Sequence, residues 1–283
     1  MMKTRVIPNN PGLEGLLDLK AQIPFACPEG EELCLQLVKP QWFSGGAGFP
    51  LVVFIQGSGW TKPNQFWEIP QLCRLAERGY VIASVTHRHG RTSPAPAFLQ
   101  DVKTAIRFLR AHAAEYDIDK TRVAAWGTSS GGNTALLLGL TGDNPDFEGP
   151  EWPGESSAVS VVVDCFGPTD MVKMSEVQYN GPHTAENIFF TLGGCDEDKY
   201  LERLRKISPI EYVKPGLKLP PFLLLHGDAD PVVLYEDTEA FCGALERCGY
   251  EVELVKVTGA PHEGSFWSPQ LLKIIFDFIR EKL

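Results

Sequence analysis

The chain has 283 residues, 43% of them hydrophobic, enough for one large α/β core spanning 1–283, and no stretch differs enough in composition to mark a second domain. Its formal charge of −10 opposes nucleic acid and anionic membrane surfaces as partners, and no basic run reverses that locally. The first ten residues carry charge without an apolar stretch, no run of about 18 apolar residues occurs, and the seven cysteines are scattered, odd in number and without C-x-x-C spacing; a reducing cytoplasm is the expected compartment.

Taken in order, Leu16 to Ile23 and Leu33 to Val38 alternate apolar and polar residues around Cys27-Pro28-Glu29-Gly30-Glu31, the pattern of an antiparallel edge hairpin. Leu51-Val52-Val53-Phe54-Ile55 is continuously apolar, as a parallel strand covered on both faces must be. Further strands are expected at Tyr80 to Val85, Val123 to Trp126, Val159 to Asp164, Phe222 to His226 and Val252 to Val257. Helices are expected at Gln65 to Arg78, Pro96 to Tyr116, Asn133 to Leu140, Leu234 to Arg247 and Pro269 to Lys282. That alternation predicts a doubly wound, mostly parallel sheet with its site at the carboxyl ends of the strands. Residues 171–219 are too many for a bare crossover and are expected to form a small cap insertion, with an ordinary surface excursion as the alternative. Tyr179, Phe189, Phe190 and Tyr200 are among its aromatic residues.

Within this frame, Gly127-Thr128-Ser129-Ser130-Gly131-Gly132 joins a short strand to a helix. A serine at the tip of such a turn has its hydroxyl pushed clear of the strand end, and glycines two residues away on both sides permit close backbone approach. Only Ser129 satisfies that spacing. A serine needs a base, and the base an orienting acid. His262, in the loop after the last strand, is the expected base among six histidines. Its acid is sought in Asp228-Ala229-Asp230 after the preceding strand; Asp230 is preferred, being farther from the strand and followed by proline, while Asp228 is expected to brace the loop. Asp170 is a remote third candidate and a possible substrate contact. The glycine-rich Gln56-Gly57-Ser58-Gly59-Trp60 follows the first parallel strand, so the amides of Ser58, Gly59 and Ser130 are the expected oxyanion donors. Trp60 is expected to wall the acyl side, with Phe189 in the substrate region. No cofactor and no metal is called for: His87 and His89 flank Arg88 without a third ligand in company.

With these residues assembled, the chain resembles the α/β-hydrolase esterases, in particular the feruloyl and acetylxylan type carbohydrate esterases and, more distantly, the hormone-sensitive-lipase-like carboxylesterases. The marks are Gln56 to Trp60 where that family has His-Gly-Gly-Gly-Trp, the segment Asp101 to Arg110, the serine turn, Gly167-Pro168-Thr169-Asp170 and His226 to Val233. The resemblance implies a serine carboxylesterase acting through an acyl-enzyme on a small-molecule or oligosaccharide ester. A feruloyl esterase, a prolyl-oligopeptidase-like peptidase and a non-catalytic binding protein are the alternatives. Whether the chain pairs as a homodimer stays open.

Overall fold

The structure is a computed structural model that describes residues 2–179 and 181–283. Among these residues eight strands form a single sheet: β1 (Leu17–Ala26), β2 (Leu33–Pro40), β3 (Phe49–Ile55), β4 (Val81–Val85), β5 (Ile118–Thr128), β6 (Val161–Cys165), β7 (Phe222–Gly227) and β8 (Val252–Val257). Their order is β1-β2-β4-β3-β5-β6-β7-β8. The first hairpin is antiparallel and joins β4 antiparallel; every pair from β4 to β8 is parallel. The helices are α1 (Ile69–Ala76), α2 (Ala97–Ala111), α3 (Ala113–Tyr116), α4 (Ser130–Thr141), α5 (Met171–Lys173), α6 (Ile188–Leu192), α7 (Tyr200–Lys206), α8 (Tyr235–Arg247) and α9 (Pro269–Lys282).

Strand side chains alternate between two cores, as a period of two requires. Leu51, Val53 and Ile55 join the apolar residues of α2, α4 and α8, whereas Val52 and Phe54 join those of α1 and α9. Helices therefore cover both faces. All twelve residues of α4 are buried, which explains why its sequence is apolar all round and lacks an amphipathic stripe.

The expected elements are present with shifted ends. The helix expected from Gln65 begins only at Ile69, because Gln65 turns inward and its carboxamide oxygen accepts a hydrogen bond from Gln36 Nε2 at 3.2 Å. The long helix expected to reach Tyr116 breaks at His112, whose ψ of 21° leaves the helical range. Between β6 and β7 lie α5, α6 and α7.

Parallel register puts the ends of five strands together, with β6 between β5 and β7. Ile55 is beside Gly127, Thr128 beside Cys165 and Gly227 beside Val257. The loops after β3, β5, β7 and β8 consequently share one edge of the sheet.

Candidate active site

Ser129 stands between β5 and α4 with φ 52° and ψ −120°, a conformation costing a non-glycine residue about 1–3 kcal/mol unless its surroundings enforce it. Here they do. The Ser129 amide donates to the Cys165 carbonyl at 2.9 Å and its carbonyl accepts from the Asn133 amide at 3.0 Å. A Cβ at Gly127 would collide with the Gly131 carbonyl, and one at Gly131 with the Ile55 carbonyl. Both flanking glycines are thus required by backbone approach, as the spacing implied.

His262 Nε2 lies 2.9 Å from Ser129 Oγ and His262 Nδ1 lies 2.6 Å from Asp230 Oδ2. An ionised carboxylate only accepts, so Nδ1–H must donate to Asp230, leaving Nε2 to accept the serine proton. Asp230 also takes the Val232 and Val233 amides on Oδ1 at 2.7 and 3.0 Å, and His226 Nε2 on Oδ2 at 3.1 Å. Burial alone would raise its carboxyl pKa, but the hydrogen bonds from the two histidines and two amides outweigh burial and hold it well below the ordinary range. It therefore stays an anion at neutral pH. Asp228, by contrast, is exposed, accepts the Gly259 amide and pairs with Lys256 at 3.3 Å, bracing the loop.

His226 is a neighbour of the triad to which the sequence reading gave no role in it. Fully buried, it places Nδ1 2.7 Å from Thr238 Oγ1 and gives Nε2–H to Asp230 and the Val233 carbonyl. The four-residue interval to Asp230 was the only signal available. Asp164, at the end of β6, was missed as well. It is wholly buried and accepts the Gly167 amide at 2.9 Å on Oδ1. Burial pushes its carboxyl up to about 8, so it is neutral at pH 7. A Cβ at Gly132 would strike its Oδ1, which explains the second of the paired glycines.

The loop after β3 corrects one expectation. The Ser58 amide donates to Ser130 Oγ at 2.9 Å and so is engaged within the protein; among the described residues the Gly59 and Ser130 amides donate to no protein acceptor. The loop is stapled by neighbours: Gly57 N–H to Thr128 Oγ1 at 2.8 Å, Ser58 Oγ–H to the Thr61 carbonyl at 2.7 Å, Thr61 Oγ1–H to the Ser58 carbonyl at 2.6 Å, and the Asn64 amide to Gln56 Oε1. Ser58 and Gln56, the two departures from His-Gly-Gly-Gly, therefore supply bonds that hold the loop.

The expected substrate contacts fare differently. Trp60 is 4% exposed and its ring packs against Phe98 and Phe189, at 6.4 and 6.3 Å between centroids. Trp60 thus backs Phe189, which lines a cavity of ≈ 220 Å³ in the 175–200 region with Tyr179, His183, Asn187 and Tyr200. Asp170 is corrected: its Oδ1 accepts the Lys173 amide at 2.9 Å and caps α5, and it makes no hydrogen bond to His262. Its carboxylate is a helix cap. Among the described residues no group of three His, Cys, Asp or Glu side chains could hold a metal ion, and no helix is long and apolar enough to cross a membrane.

Comparison with known proteins follows the same lines. Residues 35–245 match the BD-FAE family. The curated relatives include esterase LipC of Mycobacterium tuberculosis, 29% identical over 218 residues that cover 75% of this chain and 52% of the relative. Isoprenylcysteine alpha-carbonyl methylesterase of Arabidopsis thaliana is 23% identical over 77% of this chain and 51% of its own. The chain spans about half the length of these relatives. Among solved structures, a truncated carbohydrate esterase from gut microbiota superposes with a TM-score of 0.79 at 27% identity, covering 96% of this chain and 98% of that one. Propionate-bound esterase 2 of the planctomycete Thermogutta terrifontis gives 0.75 at 26% identity, covering 97% and 96%.

Proposed function

Because the chain belongs to the BD-FAE family and has the α/β-hydrolase fold, we propose that it is a serine carboxylesterase cleaving short or compact acyl esters of carbohydrates or other polar alcohols. One observation carries this reading: the relay Asp230–His262–Ser129 with contacts of 2.6 and 2.9 Å. In the proposed mechanism Ser129 Oγ attacks the ester carbonyl while His262 Nε2 takes its proton. Asp230 fixes the tautomer and stabilises the imidazolium. The Gly59 and Ser130 amides receive the oxyanion, and His262 then protonates the leaving alkoxide. Water, deprotonated by His262, releases the acid and restores Ser129.

The preference for compact acyl groups draws support from Trp60 and Phe189, which fill the space behind the oxyanion loop, and from the propionate and butyrate held by the Thermogutta esterase. The carbohydrate preference draws on the carbohydrate esterase neighbours, one a bifunctional GH43-CE protein of Bacteroides eggerthii. We read 171–219 as a cap and its aromatic-lined cavity as room for a sugar or phenolic ring. Seven unpaired thiols support a reducing compartment such as the cytoplasm.

The test is kcat/KM across p-nitrophenyl acetate, butyrate and octanoate, then acetylated xylo-oligosaccharides, methyl ferulate and an aminoacyl amide. Acetate or butyrate should lead. A maximum at octanoate would remove the compact pocket, methyl ferulate well above acetate would replace acetyl by feruloyl, and amide cleavage alone would replace the esterase by a peptidase.

The Ser58–Ser130 contact yields a second expectation. Ser130→Ala deletes the acceptor that holds the Ser58 amide and loosens the strand of loop carrying Gly59. Removing an oxyanion donor outright costs about 10²–10³-fold; loosening one should cost about 10-fold in kcat, with little change in melting temperature. An unchanged kcat would show that the contact does not set the loop.

A further inference from the structure

A second cavity, of ≈ 450 Å³, opens on the histidine-loop side of the site, between α1 and the segment leading into α9. Trp67, Glu68, Gln71 and Arg74 line it from one side, Glu263 and Trp267 from the other. It adjoins the proposed chemistry: Glu263 follows His262 in the chain, and Trp267 packs on Phe166 at 6.1 Å, which packs on His262 at 4.6 Å.

Each wall is left incomplete by the protein. Trp67 is 67% exposed, a large apolar ring kept in water beside a concavity. Trp267 is fixed, its Nε1–H donating to Glu263 Oε2 at 2.9 Å. Glu68 heads α1 without capping it, and its buried Oε2 has no hydrogen-bond partner among the described residues. Burial, reinforced by the nearby Glu263, pushes its carboxyl up to about 8, so at neutral pH it is a neutral acid with both a donor and an acceptor to offer. Arg74 forms no ion pair and Gln71 no side-chain hydrogen bond among the described residues.

The combination narrows the ligand. Arg74 disfavours a cation, Glu263 disfavours an anion, and the unmet polar groups disfavour a purely apolar guest, since each would be desolvated without a partner. A neutral molecule with many hydroxyls and one apolar face meets every requirement. We propose that this cavity is a saccharide-binding subsite in which pyranose units stack on Trp67 and Trp267 and hydrogen-bond Glu68, Gln71 and Arg74. It extends the ester-hydrolase reading by naming where a glycan carrying the ester is held, but the binding itself needs no turnover.

The experiment is isothermal titration of the intact protein with unesterified xylotetraose, cellotetraose and mannotetraose, beside Trp67→Ala and Gln71→Ala, with p-nitrophenyl acetate kinetics on each. Both positions are exposed, so the variants should fold. At least one tetrasaccharide should bind the wild type, and Trp67→Ala should weaken it tenfold or more. Gln71→Ala should weaken it about threefold, and both variants should keep kcat/KM on p-nitrophenyl acetate within twofold. Absence of binding by all three saccharides overturns the subsite. So does equal binding by Trp67→Ala, which would place the saccharide elsewhere. Saccharide binding without any esterase activity would leave the subsite standing and sink the ester reading instead.

Discussion

Ser129→Ala is expected to lower kcat on p-nitrophenyl acetate by roughly 10⁴- to 10⁶-fold, the usual effect of removing the attacking group from a coupled triad. The fold should survive. Alanine carries no more bulk at the φ 52° position than serine, and the backbone bonds to Cys165 and Asn133 that set the turn involve no side-chain atom. Melting temperatures of the two proteins should therefore agree within a few degrees, while a serine-directed phosphonate should add one mass increment to the wild type, on the peptide carrying Ser129, and none to the variant. Activity retained near the wild-type level, or a label on another serine, would sink the assignment.

Asp230→Asn should cost about 10⁴-fold in kcat, and unlike Ser129→Ala it should also destabilise the protein. The buried carboxylate receives two imidazole N–H groups on Oδ2 and two amides on Oδ1. An asparagine oxygen can keep the amides, but its NH₂ then faces the N–H groups of His226 and His262. His262 must adopt the other tautomer, which presents a proton to Ser129 in place of a lone pair. Losing hydrogen bonds to a buried charged group should remove about 2–3 kcal/mol of stability at pH 7. The sign with pH follows from the depressed carboxyl: its contribution is present above the unfolded aspartate value and is lost only as pH falls through the lower folded one. The melting-temperature gap between wild type and variant should thus hold from neutral pH into moderate acid and close in strong acid. Asp228→Asn is the control. That carboxylate lies exposed on Gly259 and Lys256, and its replacement should change kcat by less than about threefold. Equal losses in both variants would mean that the wrong loop carboxylate has been assigned.

The strand–turn–helix around Ser129 was legible because the signals are local. An apolar run forces a strand, an apolar helix follows, and two glycines occupy the positions where neighbouring carbonyls leave no room for a Cβ. The excursion between β6 and β7 was much less legible. Helices α5 and α6 are three and five residues long, too short for a 3.6-residue period to register, and their ends are set by side-chain caps from Asp170 and Asn187. Asp170 illustrates the limit: a carboxylate after a strand end reads equally as acid, ligand contact or helix cap until its partner is known.

What the sequence determined by itself was the succession of buried parallel strands and which loop each candidate residue belongs to, since hydrophobic period and turn residues act over a few positions. What only the tertiary structure decided was the pairing of hydrogen-bond partners across those loops. His226 and His262 converge on one oxygen of Asp230 although they stand 4 and 32 residues away from it in sequence. The Ser58 amide is engaged by Ser130, 72 residues on, and Glu68 comes near Glu263 across a cavity that no local pattern announces. The reason is geometric. Parallel register sets five strand ends side by side, and a donor finds its acceptor through sub-ångström positions that depend on every strand between them, so loop membership is written in the chain while contact is not.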